Sequence, residues 1–293
     1  MLSYQHHYHA GSLSDIHKHT ALLNLLQNLT RKERPISYME THSGRGFYDT
    51  ASPEALKTGE AAEGINKLLG SNSVSEEDSY INLINKLKVE FGNPNFYPGS
   101  PLIAKKILRP QDELFLMELH PEEIKHLYKL RNLRSGAKTH IHHRDGYEGV
   151  LALSPPKNRR GLVLIDPSYE VKTEYDQVVD FCIKLNKKWP EAVIMIWYPI
   201  LKQGYHEGMK KGLNDYFQIS SSNNIMIDDY STDEPIAENI MLEKNKTFTT
   251  KSDANSRPLE RKNTPLIVYN EYIFRSPIRA LGSGVAIVNE PWK

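Results

Sequence analysis

The chain has one cysteine, Cys182, among 293 residues, which excludes an intramolecular disulfide and a cysteine-based zinc site. In a helical context such a residue packs as a small apolar side chain. Long apolar runs are also missing. The strongest, Ala192 to Leu201, is about half of what a membrane helix requires. The start, Met1-Leu2-Ser3-Tyr4-Gln5-His6-His7, lacks the charged and apolar regions of a signal peptide, so we expect a cytoplasmic protein with no membrane partner. Charge of one sign is absent too: the formal net charge is +1, and no global basic field advertises nucleic acid. Any such partner must be held by local patches. Arg31, Lys32 and Arg34, Lys105, Lys106 and Arg109, and Arg159 and Arg160 are the candidates, although clusters of this kind are more often solvated surface. No internal repeat is visible. The length suits one or two domains, and the 25% charged content is that of a globular protein.

Extended apolar segments alternate with helical ones. The former are Ile36 to Thr41, Leu114 to Leu119, Thr139 to Arg144, Leu162 to Asp166, Ala192 to Tyr198 and Val285 to Asn289. Alternation of this kind predicts an α/β fold, a mostly parallel sheet with helices on both faces. Ser14 to Leu29 carries Ile16, Leu22, Leu23, Leu26 and Leu29 in a helical stripe. The chain between residues 41 and 114 is far longer than one crossover helix needs, with helical patterns near Ala55 to Leu69 and Glu76 to Phe91. We therefore divide the chain into a main domain, 1–48 and 95–293, opening on a tail and helix over 1–30, and an inserted helical subdomain, 49–94. The polar stretch Ser220 to Thr264 is either a mobile excursion or weak strands near a sheet edge.

The most informative stretch is Leu162-Val163-Leu164-Ile165-Asp166-Pro167-Ser168-Tyr169-Glu170. A buried-type parallel strand ends in a carboxylate, a rigid proline and an aromatic ring, and ligands of open α/β sheets sit at such carboxyl ends. The exocyclic amine of adenine is a poor nucleophile, because its lone pair is delocalised into the ring. A catalyst must hold both N–H bonds with acceptors and leave the nitrogen free. Asp166 offers a charged acceptor, the Pro167 carbonyl a second in a fixed direction, and Tyr169 a stacking surface. Taken alone, Asp-Pro-Ser at a strand end is equally an ordinary turn before a helix.

Three other strand ends add to it. The first leads into Thr41-His42-Ser43-Gly44-Arg45-Gly46, where glycines let the backbone approach a ligand. A dinucleotide fingerprint would need a third glycine at position 49, which is Asp. The second ends in Glu118, able to accept both ribose hydroxyls of a nucleoside, and the third in Asp145-Gly146, placed to accept from an adenine amine. The four together favour an adenosine-containing cofactor without a pyrophosphate.

These residues resemble class I methyltransferases that use S-adenosylmethionine (SAM), and further motifs narrow the match. Met1-Leu2-Ser3-Tyr4-x-His6, His9-Ala10-Gly11, Asp15, Lys18-His19-Thr20, Thr41-His42-x-Gly44-x-Gly46, Tyr97-Pro98-Gly99-Ser100-Pro101, Glu118-Leu119-His120-Pro121, Asp145-Gly146 and Asp166-Pro167-x-Tyr169-Glu170 are similar to the bacterial RlmJ family, adenine-N6 methyltransferases of 23S ribosomal RNA. The resemblance covers roughly residues 1 to 200 and Gly284 to Lys293.

It implies a Rossmann-like methyltransferase domain with an inserted helical subdomain, SAM as cofactor, and naked or partly assembled 23S rRNA as partner to a monomer that needs no metal. Asp166 becomes the proton acceptor and amine ligand, and with His19, His42, Ser100, Glu118, Asp145 and Gly146 it matches the cofactor contacts. Tyr4, His6 and Lys18 match a mobile amino-terminal tail that closes over cofactor and target base, and Pro167 and Tyr169 also contact that base, Tyr169 by stacking. Two departures stand out. Ser168 replaces a usual second proline, implying looser or slower chemistry, and relatives continue past Lys293 with a further helix. An enzyme acting on DNA adenine or on a glutamine side chain, and a non-catalytic nucleic-acid binder, remain alternatives at this level.

Histidines crowd the start: His6, His7, His9, His17 and His19. His17 and His19 point to different faces of a helix, which argues against a shared metal. Ser100-Pro101 also reads as a helix start with proline in the first turn.

Overall fold

The computed structural model describes residues 4–70, 79–133, 136–225, 266–274 and 280–289, and for 218–225 the backbone alone. In chain order its strands are β1 (Ser37–Glu40), β2 (Phe47–Asp49), β3 (Phe96–Pro98), β4 (Glu113–Glu118) and β5 (Lys138–His143). They continue with β6 (Gly161–Ile165), β7 (Val193–Ile200), β8 (Gln218–Ile225), β9 (Leu266–Ile273) and β10 (Gly282–Val288). The helices are α1 (Leu13–Thr30), α2 (Pro53–Thr58), α3 (Lys67–Gly70), α4 (Ser79–Phe91), α5 (Ser100–Ile107), α6 (Pro121–Leu127), α7 (Gly146–Leu153), α8 (Thr173–Lys188) and α9 (Tyr205–Tyr216).

Eight strands form one sheet in the order β5-β4-β1-β6-β7-β10-β9-β8, while β2 and β3 make a small antiparallel pair of their own. From β5 to β7 every pairing is parallel. β10 then runs antiparallel between β7 and β9. This is the mostly parallel α/β sheet that the alternation of segments predicts, in the Rossmann-like form that the resemblance implies. Each of the six predicted strands is present, with ends displaced by a few residues at most.

Successive residues of a strand face opposite sides, and the core divides accordingly. Leu162 and Leu164 join Leu22, Ile84 and Leu102 of α1, α4 and α5. Val163 and Ile165 join Val150, Phe181 and Leu213 of α7, α8 and α9, with Cys182 buried among them. At roughly 1.5–3 kcal/mol per buried large aliphatic side chain, both faces of β6 hold it rigidly, and with it the loop that follows.

α1 starts where Ser12 accepts the Asp15 N–H at 3.2 Å, an N-cap with an acid in the first turn. Its other end is held by arginines. Arg109 donates to the carbonyls of Thr30 and Lys32 and forks onto Asp112, and Arg160 donates to those of Leu29 and Arg34. Lys105 Nζ reaches the Ala137 carbonyl, Lys106 pairs with Glu90, and Arg159 with Glu191. Most of the basic clusters singled out for nucleic acid are thus occupied within the fold.

The helical pattern over Ala55 to Leu69 is broken. α2 stops at Gly59, whose φ of +71° is left-handed, and a wide turn over Ala62–Asn66 precedes α3. α4 covers the described part of the Glu76 to Phe91 pattern, whose first residues lie outside the described ones. Of Ser220 to Thr264, residues 220–225 belong to β8 and the rest lies outside the described residues, as do 290–293. No helix among the described residues is long and apolar enough to cross a membrane.

Candidate active site

A cavity of about 570 Å³ opens at the carboxyl ends of β1, β4, β5 and β6, where the sheet order reverses between β1 and β6. The volume lies in the range typical of ligand pockets. Twelve residues singled out in the sequence line it: Tyr4, His6, Lys18, His19, His42, Ser100, Glu118, Asp145, Gly146, Asp166, Pro167 and Tyr169 are all in its wall.

Asp166 follows β6 directly. Its Oδ2 accepts from Lys18 Nζ at 2.7 Å, and Oδ1 receives no hydrogen bond among the described residues. Lys18 Nζ also stands 3.0 Å from Asp15 Oδ1 and 5.3 Å from the centre of the Trp197 ring. Burial alone would lower the lysine's pKa, but the charges of Asp15 and Asp166 outweigh it and push it above the ordinary value. The structure corrects one expectation here. Lys18 is not part of a tail: it lies in the second turn of α1, 3% exposed, because the spacing from Asp15 puts both on one helix face.

Tyr4 and His6 do precede the helix. The Tyr4 hydroxyl pairs with His6 Nδ1 at 2.9 Å, the Tyr4 ring stacks on His9, and His6 Nε2 meets Asp15 Oδ2 at 3.0 Å. Asp15 is 1% exposed. Burial raises its pKa, yet the charges of His6 and Lys18 pull it well below the usual carboxylate range.

Glu118 ends β4, its two oxygens accepting the Gly44 and His120 N–H groups at 2.6 and 2.7 Å. Burial raises its pKa against these bonds. Asp145 caps α7, accepting the Glu148 N–H at 2.9 Å. Gly146 opens that helix so close to β1 that a Cβ there would lie 1.8 Å from the Thr41 carbonyl oxygen. His42 pairs with the Thr41 hydroxyl and is held to a pKa of about 4 by burial. His19 pairs with the Tyr97 hydroxyl, and burial takes it to about 3. Both imidazoles are neutral near pH 7. His17 faces Ser283 on another side of α1, as the spacing predicts. Among the described residues no group of three or more His, Cys, Asp or Glu is placed to hold a metal ion.

The loop after β6 is tied on both sides. The Ser168 hydroxyl lies 3.3 Å from Glu174 Oε2, which also accepts the Val171 N–H. The Tyr169 ring is 6% exposed, packed against Tyr175 and Trp197. Its hydroxyl is bound to β7. α5 begins at Ser100 as predicted, but its N-cap is Gly99, which leaves the Ser100 hydroxyl to face Glu40.

Two acids were given no role in the sequence reading, Asp15 appearing there only as a motif position. Asp15 reads as a helix-start acid, and Glu40 as one residue of a strand. Glu40 is fully buried, accepts from Tyr38 at 2.5 Å, and is raised by that burial to about 8. A carboxylate beside Tyr38 and Met39 in a strand was the available signal. Trp197 was missed too, because β7 runs past β6 and carries it to the cavity. Further carboxylates, Glu60, Glu63, Glu123, Glu170 and Glu174, line the cavity, and Lys18 is the one Lys or Arg of its described wall.

Residues 33–224 match the family described as "Ribosomal RNA large subunit methyltransferase D, RlmJ". The chain belongs to the RlmJ family. Its RlmJ relatives include the "Ribosomal RNA large subunit methyltransferase J" of Haemophilus influenzae, 41% identical over 214 residues, covering 73% of this chain and 75% of that protein. The protein of the same name from Escherichia coli K12 is 36% identical over 225 residues, 75% of this chain and 79% of that one. Among solved structures, protein LPL1258 of Legionella pneumophila superposes with a TM-score of 0.70 at 29% identity, covering 97% of this chain and 88% of that one. As a member of the RlmJ family this chain is a methyltransferase.

Proposed function

We propose that the protein transfers a methyl group from SAM to N6 of an adenine in 23S ribosomal RNA. The observation that carries the reading is Asp166, a carboxylate fixed at the end of β6 with one oxygen engaged by Lys18 and the other open to the cavity, next to Pro167. Such an oriented acceptor, with the proline carbonyl, holds an amine in a near-attack position and needs no covalent intermediate.

The residues fit the cofactor. Carboxylates at the ends of β4 and β5 suit a ribose diol and an adenine amine, and Gly146 allows close backbone approach. The glycine loop after β1 leads into β2 and not into a helix, so no helix N-terminus waits there for a pyrophosphate. SAM, when bound, supplies an electrophilic methyl group on a sulfonium. Here Glu118 and Asp145 would orient it, with His19, His42, Ser100 and Gly146 beside them. Tyr4, His6 and Lys18 would meet the target base, and Tyr169, packed against Tyr175 and Trp197, would stack on it only with the little of its ring that stays open. A base inside an RNA helix cannot reach this depth, so the substrate is unstacked or flipped, which suits naked or partly assembled RNA; we take the enzyme to be a cytoplasmic monomer. We take 49–94 as an inserted helical unit on the same domain.

Incubation with methyl-labelled SAM and 23S RNA from cells lacking the modification tests this. We expect N6-methyladenine in the RNA, abolished by Asp166→Ala and retained by Cys182→Ala, whose thiol is buried away from the cavity. Label that enters DNA and not RNA, or survives Asp166→Ala, overturns the assignment.

A further inference from the structure

We propose that Asp15 is a positioning residue for methyl transfer: one buried carboxylate that fixes Lys18 against Asp166 and ties His6 and Tyr4 to the same cluster. The inference rests on the function proposed above and names a residue for it beyond the strand-end carboxylates.

The geometry is a continuous chain of contacts. Tyr4 Oη meets His6 Nδ1 at 2.9 Å, His6 Nε2 meets Asp15 Oδ2 at 3.0 Å, Asp15 Oδ1 meets Lys18 Nζ at 3.0 Å, and Lys18 Nζ meets Asp166 Oδ2 at 2.7 Å. Asp15 Oδ2 also accepts the Gly11 N–H at 3.0 Å, which anchors the segment before α1 to the same group. Asp15 and Lys18 are 1% and 3% exposed, so neither charge is screened by bulk water and each depends on its partner. Two carboxylates sharing one ammonium restrain it from both sides. With Asp15 absent, Lys18 would keep Asp166 and the face of Trp197, and nothing would hold it toward the helix.

The reaction makes use of that placement. As the N6 lone pair forms the new N–C bond, the C–S bond breaks with its electrons going to sulfur. Positive charge passes from sulfonium to N6, which then gives a proton to Asp166 Oδ1, from which it passes to water. A cluster of two carboxylates and one ammonium is net negative beside that nitrogen, and electrostatic preorganisation of this kind acts without rearrangement. Asp166 keeps Oδ1 for the amine only while Lys18 occupies Oδ2. The groups facing Lys18 are Asp15, Asp166 and, further off, His6 and His19, and of these Asp15 does most to keep the buried ammonium protonated.

The test is a double-mutant cycle on the full chain with Asp15→Asn, Lys18→Met and the pair, read as SAM affinity, kcat, KM for RNA and the pH profile. Asp15→Asn is expected to bind SAM within about threefold of wild type and to lose about tenfold or more in kcat with little change in KM. The alkaline limb of its profile moves to lower pH, because Lys18 loses the charge that raises it. The pair is no slower than Lys18→Met alone, since Asp15 acts through the lysine. Asp15→Asn within about twofold of wild type, or effects that multiply, overturns the proposal. Should Asp15→Asn not fold, the pair decides, because it removes carboxylate and cation together: a rate about tenfold below Lys18→Met overturns the proposal, and an equal rate supports it. Wild type that methylates no RNA defeats the parent reading, whereas active wild type with an unaffected Asp15→Asn defeats this inference alone.

Discussion

The Tyr169 hydroxyl donates to the Trp197 carbonyl at 2.8 Å, which ties the loop after β6 to the neighbouring strand β7. Tyr169 has a φ of +55°, in the left-handed region that a bulky residue rarely adopts. The tether and the packing on Tyr175 hold it there. Tyr169→Phe keeps the ring and removes the bond, so we expect a kcat loss worth about 0.5–1.5 kcal/mol with SAM affinity unchanged. Single-turnover kinetics check this, and a rate equal to wild type would show that the tether does not set the loop.

Glu40 gives a pH prediction. Its folded-state pKa of about 8 lies above the ordinary 4.5, so between these values the folded chain holds a proton that the unfolded chain has released. Its contribution to stability is therefore fully present below the lower value and lost as pH rises through the upper one. Glu40→Gln mimics the protonated form. Denaturant melts should place it near wild type at pH 5 and increasingly more stable than wild type toward pH 8.5. Parallel curves across that range would refute the assignment.

Gly146 and Gly208 should respond oppositely to alanine. At Gly146 a Cβ would collide with the Thr41 carbonyl oxygen at 1.8 Å, whereas at Gly208, inside α9, it would meet nothing within 4 Å. Gly146→Ala is expected to cost about 1–3 kcal/mol and to weaken SAM binding, because α7 must move off β1. Gly208→Ala should stabilise by about 0.5–1 kcal/mol through helix propensity. Calorimetric melting and titration with SAM separate the two.

Arg160 tests whether the basic clusters bind RNA. It donates to the carbonyls of Leu29 and Arg34 where α1 ends. Arg160→Ala should lower stability by about 1 kcal/mol and leave KM for RNA unchanged. A weaker RNA affinity at equal stability would return it to the docking surface.

Much of this was legible in the sequence, for physical reasons that differ by element. A strand such as Leu162 to Ile165 is apolar on every residue because both faces are covered, and a parallel strand of that kind announces its own end. Asp166, Glu118 and Asp145 could therefore be placed on one edge of the sheet, and all three line one cavity. For Lys18 the two readings disagreed: the resemblance put it in a tail, the helical stripe over Ser14 to Leu29 put it in a helix, and the Ser12 cap agrees with the stripe. Asp15, Glu40 and Trp197 gain part of their surroundings from elements distant in sequence, since Lys18 links Asp15 to Asp166, Ser100 faces Glu40 and Lys18 lies over Trp197, and no local pattern carries that. The antiparallel insertion of β10 between β7 and β9 is likewise a property of the assembled sheet. The break at Gly59 was readable in principle, since glycine is a common helix stop.

The wall of carboxylates around the cavity has a bearing on how a polyanion docks. Glu60, Glu63, Glu170 and Glu174 line the cavity, and like charges in a partly desolvated cleft repel strongly, so a phosphate drawn in beside them would meet a barrier. An uncharged heterocycle meets no such barrier. The enzyme would then sieve by charge: a single nucleobase enters on an extended sugar, and the backbone it hangs from stays outside.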